Sequence, residues 1–122
     1  MDYERGAIVL VNFNPQRRPQ EVGKLRPAII VSRTELNNIL DLVSVVPLTT
    51  NLIDGCEPLR IRIPKRDGLD ETSDAMIEQL RAVAKSRIVA RLAAVSPQEM
   101  ERIEEGLRAL LQLEQTDSSS SQ

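Results

Sequence analysis

The sequence predicts a mostly β fold, a small antiparallel barrel that is followed by one C-terminal helix. Four short runs rich in β-branched residues fill the first half of the 122-residue chain, and Pro, Gly, Asn and Asp separate them. One amphipathic pattern then precedes a polar end. The length suits a single domain, which we assign to residues 1–115. Residues 116–122 contain no apolar side chain, so we expect a disordered, Ser-rich tail there.

The predicted strands differ in how their apolar residues are spaced. They cover residues 7–13, 26–32, 41–50 and 58–64. The third run has Pro47 near its end, which suggests a sheet edge or a bulge at that point. The fourth run alternates, with Leu59, Ile61 and Ile63 on one face and two arginines on the other, as expected of a half-buried strand.

Two further stretches are short or ambiguous. Residues 34–40 predict a short helical turn between strands. The apolar residues of 73–83 fit both the alternation of a strand and the spacing of a helix. We interpret this second stretch as a strand that is followed by a turn of helix near residues 85–89.

The segment 96–115 predicts the C-terminal helix. Ser96 is a favourable N-cap residue, Pro97 takes the first helical position and Glu99 completes a capping box. The apolar stripe of this helix consists of Met100, Ile103, Leu107, Leu110 and Leu111. Gly106 costs a helix ~1 kcal/mol relative to alanine, which suggests that a close neighbour needs the space.

The composition excludes several kinds of site. The chain has no histidine and a single cysteine, Cys56. It therefore cannot use a histidine as a catalytic base or a metal ligand, and it cannot form an intrachain disulfide or a multi-cysteine zinc site. One unpaired cysteine suits a reducing cytoplasm.

Charge and hydropathy bound the surroundings of the protein. No segment approaches the ~18–20 apolar residues that cross a bilayer, and two acidic residues precede the first apolar run, which makes a poor signal peptide. We expect a cytoplasmic protein without a membrane segment. The net charge is -2, so a nucleic-acid partner would require a local basic patch. Tyr3 and Phe13 are the only aromatic residues, which weakens any interpretation based on base stacking.

Arg26 and Pro27 form the first candidate site, at the start of the second predicted strand. Proline pushes the preceding residue toward an extended conformation, so the arginine side chain leaves the strand in a defined direction. Its planar, two-pronged guanidinium suits a phosphate or a carboxylate. A surface arginine beside an ordinary turn is the alternative. Thr49 and Thr50 end the third strand, where their hydroxyls could donate to a phosphate or simply favour β structure.

Two other regions carry candidate binding residues. A polar loop at 14–26 joins the first two strands and is either a ligand-binding loop or a plain hairpin connection. A short stretch groups five polar or charged residues, namely Glu78, Gln79, Arg81, Lys85 and Arg87. These could build one basic face with four earlier cations: Lys24, Arg26, Arg60 and Arg62. A solvated surface of mixed charge is the alternative.

The order of these motifs resembles a known family. The runs "RGAIVLVNFNP", "GKLRPAIIVS", "VVPLTT" and "EQLRAVAKSRI" are similar to those of the MazF/PemK family of toxin endoribonucleases. The resemblance implies an SH3-like barrel with a C-terminal helix, a homodimer, and cleavage of single-stranded RNA without a metal or cofactor. It also implies a cognate MazE-like antitoxin, whose acidic segment folds onto the toxin.

The resemblance assigns roles to residues of this chain. Arg26 and Thr49 match the catalytic arginine and threonine of the family. The implied RNA-binding set is Glu21, Lys24, Thr50, Glu78, Gln79, Arg81 and Lys85. The expected products are a 2′,3′-cyclic phosphate and a 5′-hydroxyl end. Arg26, a carboxylate of Glu21 or Glu78, or water could take the 2′ proton.

Two other functions fit the same fold. CcdB-type toxins share this barrel and poison DNA gyrase by binding it, through the end of their C-terminal helix. A non-catalytic SH3-like module that binds protein or RNA is the second alternative. The motifs around Arg26 and Thr49, and a helix that runs into "SSSSQ", favour the ribonuclease.

Overall fold

The computed structural model describes residues 2–13 and 25–114. The strands are β1 (Ala7–Asn12), β2 (Leu25–Ile30), β3 (Leu42–Thr49), β4 (Arg60–Ile63), β5 (Ser73–Met76), β6 (Arg81–Ala84) and β7 (Ile88–Ala94). The helices are α1 (Thr34–Asn37) and α2 (Pro97–Leu111), with 3-10 turns at Ile77–Gln79 and Lys85–Arg87. Four predictions lie wholly or mostly outside the described residues: the roles of Glu21 and Lys24, the loop at 14–26 and the tail at 116–122.

All strand pairs are antiparallel, and strand β3 lies at the centre of the sheet. The strand order is β4-β5-β3-β2-β1-β7, and β6 also pairs with β3. One edge of β3 pairs with β2. Its other edge pairs first with β6, up to Val45, and then with β5, from Leu48 onward. This change of partner lets a single strand belong to both halves of a coiled sheet.

Pro47 lies at this change of partner, opposite Ala28 of β2. The carbonyl of Ser44 accepts a hydrogen bond from Val31, so the even-numbered residues of β3 bond toward the β2 side. The missing N–H of Pro47 therefore faces the other edge, between the last residue of the β6 pairing and the first of the β5 pairing. The prediction of an edge strand was wrong, because β3 has neighbours on both edges. Pro47 does lie where one of these edges is locally unpaired, and proline is tolerated there because no ladder bond is required.

The sheet separates two apolar cores. The first, which also contains Ile103 of α2, is formed by Ile8, Ile29, Val31, Val46, Leu48, Ile61, Ile63, Leu69, Ala75 and Ile77. The second consists of Ala7, Val9, Val11, Ala28, Ile30, Val43, Val45, Val83 and Ile88. Since neighbouring side chains of a strand point to opposite faces, β1, β2 and β3 are buried on both faces. That explains their nearly continuous apolar sequences.

The remaining elements agree with the sequence in most respects. The ambiguous stretch is a strand, a 3-10 turn and a second strand, and the predicted turn of helix is present at Lys85–Arg87. Ile61 and Ile63 are buried as predicted, but Leu59 is 38% exposed. Leu59 precedes the first residue of β4, so the alternation of that strand does not extend to it.

Helix α2 begins with the predicted capping box and ends four residues earlier than predicted. The Ser96 hydroxyl accepts from the Glu99 N–H at 3.1 Å, and the Glu99 carboxylate accepts from the Ser96 N–H at 2.8 Å. Arg66 donates two further hydrogen bonds to Glu99, at 2.8 and 2.6 Å. These bonds lower the pKa of Glu99 despite its partial burial. Leu110 and Leu111, at the end of the predicted stripe, are 37% and 49% exposed.

Gly106 allows α2 to pack closely, as the sequence suggested. A Cβ atom at this position would lie 2.4 Å from the carbonyl oxygen of Pro58 and 3.0 Å from the Cγ1 atom of Ile77. The first neighbour is backbone, which cannot rotate away. Helix α2 therefore requires glycine here, although glycine weakens a helix in isolation.

We expect Gly106→Ala to destabilise the protein by about 1–3 kcal/mol, because overpacking outweighs the gain of ~1 kcal/mol in helix propensity. Urea unfolding followed by circular dichroism measures the change in the free energy of unfolding. Ala109→Gly, at an exposed position of the same helix, is the matched control and should cost ~1 kcal/mol from propensity alone. A stabilised Gly106→Ala protein would contradict this packing.

Candidate active-site cleft

Arg26, Thr49 and Thr50 line one cleft at the end of the β2 and β3 strands. The cleft has a volume of about 270 Å³ and is also lined by Leu25, Pro27, Leu48 and Ser73. The β2–β3 register pairs Ala28 with Pro47. Continued by two residues in each strand, it brings Arg26 level with Thr49. Antiparallel pairing thus joins two motifs that are far apart in the sequence.

The backbone around Arg26 directs its side chain to the exposed end of β2. Arg26 pairs with Val11 of β1, and Pro27 pairs with Leu10. The side of the strand that carries Arg26 also carries Ala28 and Ile30, which are buried in the second core. Arg26 itself is exposed, because it lies beyond the part of β2 that this core covers.

Thr49 is the last residue of β3 and lies opposite Asp74 of β5. Its hydroxyl oxygen accepts a hydrogen bond from the backbone N–H of Asn51 at 3.1 Å. A threonine hydroxyl carries one proton and two lone pairs, so this contact uses one lone pair and leaves the proton for another acceptor. Thr49 can therefore donate to an anion bound in the cleft.

Asp74 is a buried acid that the sequence analysis missed. Its side chain is 1% exposed. It accepts hydrogen bonds from the Arg62 side chain at 2.6 Å and from the Ile53 N–H at 2.9 Å, and an Arg60 nitrogen lies 3.7 Å away. Burial opposes the charged form, but the hydrogen bonds from Arg62 and Ile53 outweigh it and lower the pKa of Asp74. The signal in the sequence was the pair of arginines that alternates outward in the neighbouring strand.

The eight candidate cations and polar residues that lie within the described part of the chain do not come together as one open basic face. Arg60 and Arg62 face Asp74. The Arg81 guanidinium lies 4.8 Å from the centre of the Phe13 ring. Each of these arginines is thus partly engaged within the protein, and none of the three lines the Arg26 cleft.

Lys85 also has contacts within the fold. Its ammonium donates to the carbonyl oxygens of Asn37 at 2.8 Å and Leu40 at 2.9 Å, and it lies 4.9 Å from the centre of the Tyr3 ring. These contacts hold the end of α1 and the following turn against the rest of the chain. Arg81 and Lys85, two of the predicted RNA-binding residues, therefore lie against the rings of Phe13 and Tyr3, which are the only aromatic residues of the sequence.

Glu78 and Gln79 are exposed in the 3-10 turn after β5. A Glu78 carboxylate oxygen lies 3.9 Å from Arg60. Glu78 and Arg60 line a separate, mainly apolar hollow of about 360 Å³. Its other lining residues are Ile53, Cys56 and Leu59. Arg26, Thr49 and Thr50 thus line the cleft, whereas Glu78 lines this separate hollow. Gln79, Arg81 and Lys85 line neither of them.

Neither a metal-binding cluster nor a membrane helix is present in ranges 2–13 and 25–114. No three Cys, Asp or Glu side chains in these ranges group closely enough to hold a metal ion. No helix in the same ranges is long and apolar enough to span a membrane.

Comparison with known proteins identifies the family. Residues 4–111 match the PemK-like, MazF-like toxins of type II toxin–antitoxin systems. The chain belongs to this family. It is 30% identical over 115 residues to the endoribonuclease MazF9 of Mycobacterium tuberculosis, which covers 89% of this chain and 96% of the relative. The resemblance predicted from the sequence is confirmed.

Solved structures confirm the predicted fold. The Mycobacterium tuberculosis toxin MazF-mt6 matches with a TM-score of 0.73 at 16% identity, over 89% of this chain and 99% of that one. A mycobacterial endoribonuclease in complex with its cognate antitoxin matches with a TM-score of 0.72 at 22% identity, over 92% and 95%. The mostly β, barrel-like sheet with a C-terminal helix is therefore the architecture of MazF proteins.

We expect Asp74→Asn to destabilise the protein at neutral pH by about 1–3 kcal/mol, because two arginines and a backbone N–H lose a charged acceptor. The lowered pKa also sets the sign of the pH dependence. The contribution of Asp74 is complete above its ordinary pKa of 3.8 and is lost as the pH falls through the lowered value. Denaturant unfolding between about pH 7 and pH 3 should show a smaller acid-induced loss in the variant.

Asp54→Asn is the matched control for this measurement. Asp54 also pairs with Arg62, at 2.8 Å, but its side chain is 93% exposed. Exposed pairs typically contribute ~0–1 kcal/mol, so this variant should keep nearly all of the wild-type stability. Equal losses in the two variants would show that burial of Asp74 is not what makes its contacts stabilising.

Proposed function

We propose that this protein is a metal-independent endoribonuclease toxin that acts on single-stranded RNA in the cytoplasm and is neutralised by a cognate MazE-like antitoxin. The observation that carries the proposal is the meeting of Arg26 and Thr49 in one cleft. Membership of the toxin family supports it. So do a relative named as an endoribonuclease and a similar structure described in complex with its antitoxin.

The cleft suits phosphodiester cleavage in which RNA provides its own nucleophile. The 2′-oxygen attacks the adjacent phosphorus, a new bond forms between them, and the bond from phosphorus to the 5′-oxygen breaks. The products are a 2′,3′-cyclic phosphate and a 5′-hydroxyl. The protein must align these atoms and stabilise the negative charge that develops on the phosphate.

Arg26 and Thr49 divide this work. The Arg26 guanidinium keeps its charge and can donate two parallel hydrogen bonds to the phosphate oxygens. The Thr49 hydroxyl can donate a hydrogen bond to a phosphate oxygen, or it can orient the 2′-hydroxyl of the RNA. The 2′ proton goes to water or to a carboxylate, for which Glu21 and Glu78 are the candidates, because a charged guanidinium has no lone pair that could accept it. The 5′-oxygen takes a proton from water as its bond to phosphorus breaks. Glu21, Lys24, Thr50, Gln79, Arg81 and Lys85 complete the proposed RNA-binding set.

Incubation of the purified protein with end-labelled RNA in excess EDTA tests the function. We expect cleavage to persist and Arg26→Ala to lower its rate by ~10²-fold or more, as on loss of one donor to a developing anion. Arg26→Lys should restore little, because an ammonium lacks the planar pair of donors. Arg33→Ala removes an arginine that is exposed and lies outside the cleft, and it should cleave normally.

The result separates the alternatives. Wild-type rates in a folded Arg26→Ala protein would remove Arg26 from the mechanism. An absence of cleavage together with trapping of DNA gyrase would indicate a CcdB-like poison. An absence of both activities would indicate a non-catalytic binding module, and strict dependence on added magnesium would contradict metal-independent cleavage.

We also propose a homodimer. Leu36, Ile39, Leu40 and Leu42 are each at least 49% exposed, and Ile39 reaches 77%. Large apolar side chains that are exposed so close together in the sequence favour association. Light scattering at micromolar concentration should give twice the 13.6 kDa monomer mass. A monomer would contradict the dimer. We also expect the antitoxin and RNA to compete for one surface, so an antitoxin peptide that binds without slowing RNA cleavage would contradict that shared surface.

A further inference from the structure

The four residues that follow Thr50 are held by side chains of β4 and β5. The Asn51 carbonyl accepts a hydrogen bond from Arg60 at 3.2 Å. The Ile53 N–H donates to Asp74 at 2.9 Å, and the Asp54 carboxylate accepts from Arg62 at 2.8 Å. We call residues 51–54 the clamped segment. Its hydrogen bonds fix where the backbone turns away from the cleft.

The clamped segment contacts the proposed catalytic hydroxyl directly. The Asn51 N–H donates to the Thr49 oxygen at 3.1 Å, while the carbonyl of the same residue is held by Arg60. The two contacts fix this residue from both sides. An N–H donor on one lone pair prevents the Thr49 proton from pointing in that direction, because two hydrogens would then face each other. The proton is left to point elsewhere, and the cleft with Arg26 lies beside it.

Asp74 connects the two arginines that hold this segment. One carboxylate oxygen accepts from Arg62 at 2.6 Å, and the other accepts from Ile53 and lies 3.7 Å from Arg60. The Arg60 side chain is only 16% exposed, so its charge requires this partner. Asp74 thereby holds Arg60 where it can reach the Asn51 carbonyl.

We infer that Arg60 and Asp74 are positioning residues for RNA cleavage, which act by fixing Asn51 and so the orientation of the Thr49 hydroxyl. The inference rests on the proposed function. Neither residue lines the Arg26 cleft, and neither needs to touch the scissile phosphate. A misplacement of ~1 Å in an active site can cost 10²-fold in rate, so the loss of this support should lower kcat more than it raises KM.

A double-mutant cycle tests the inference. Arg60→Met is made in the wild type and in Thr49→Val, and initial rates of multiple-turnover cleavage over a range of concentrations of one labelled RNA give kcat and KM. We expect Arg60→Met to lower kcat by roughly 10- to 100-fold in the wild type and less than about 2-fold in Thr49→Val, because groups that act through one contact are non-additive. A change that only weakens folding would lower activity similarly in both backgrounds.

Two further variants control the cycle. Arg33→Met removes a positive charge at an exposed site outside the cleft, and it should not reproduce the kcat loss of Arg60→Met. If Arg60→Met does not fold, Arg60→Lys replaces it. That variant keeps a charge near Asp74 but lacks the several donors that reach Asn51 and Asp74 together, so kcat should still fall.

The outcomes distinguish the inference from the proposed function. Equal kcat losses in both backgrounds, or a loss confined to KM, would overturn the positioning role. A defective Thr49→Val beside a fully active Arg60→Met would overturn it also, while leaving the ribonuclease function intact. Wild-type cleavage by Thr49→Val would overturn the catalytic assignment of Thr49 and the inference with it.

Discussion

The cleft depends on the way in which strand β3 is shared between two neighbours along one edge. Val45 ends the pairing with β6, and Leu48 begins the pairing with β5. Pro47 lies between them, and its missing N–H leaves no donor to satisfy at the point where neither neighbour is present. The strand can therefore serve both apolar cores and still deliver Thr49 to the end of β2. The β2–β3 register on the opposite edge brings Arg26 level with Thr49, and the change to β5 brings Ser73 into the same cleft.

Much of this arrangement could be predicted from the sequence. The apolar runs predicted the strands of the first half, and the capping box predicted the start of α2 from Ser96, Pro97 and Glu99. These signals depend on local chemistry, which the sequence shows directly. Arg26 and Thr49 were recognised from motifs. Their proximity depends on strand register, which short-range patterns do not specify. Gly106 indicated that another group packs closely against α2, but only the fold identifies this group as the Pro58 carbonyl.

The errors have a common physical cause. Pro47 was interpreted by a rule for proline in sheets that assumes one partner per strand edge, and β3 has two. The alternating arginines of β4 were interpreted as the outer face of a half-buried strand and as candidates for a basic face. Asp74 was not considered, because an acid in a short strand gives no sign of its partners. Charged residues that pair across strands appear exposed in any analysis of a single segment. Their burial becomes visible only in three dimensions.

Glu99 stabilises two structural elements. It completes the cap of α2 by accepting from the Ser96 N–H, and it binds Arg66 in the turn before β5. The same carboxylate therefore links two positions that are distant in the sequence. A substitution of Arg66 would free Glu99 to move away from the Ser96 N–H, and a substitution of Ser96 would loosen the geometry that Arg66 needs. The effects of changes at these positions should thus be epistatic. In an evolving lineage, the turn and the helix cap would be altered together or not at all.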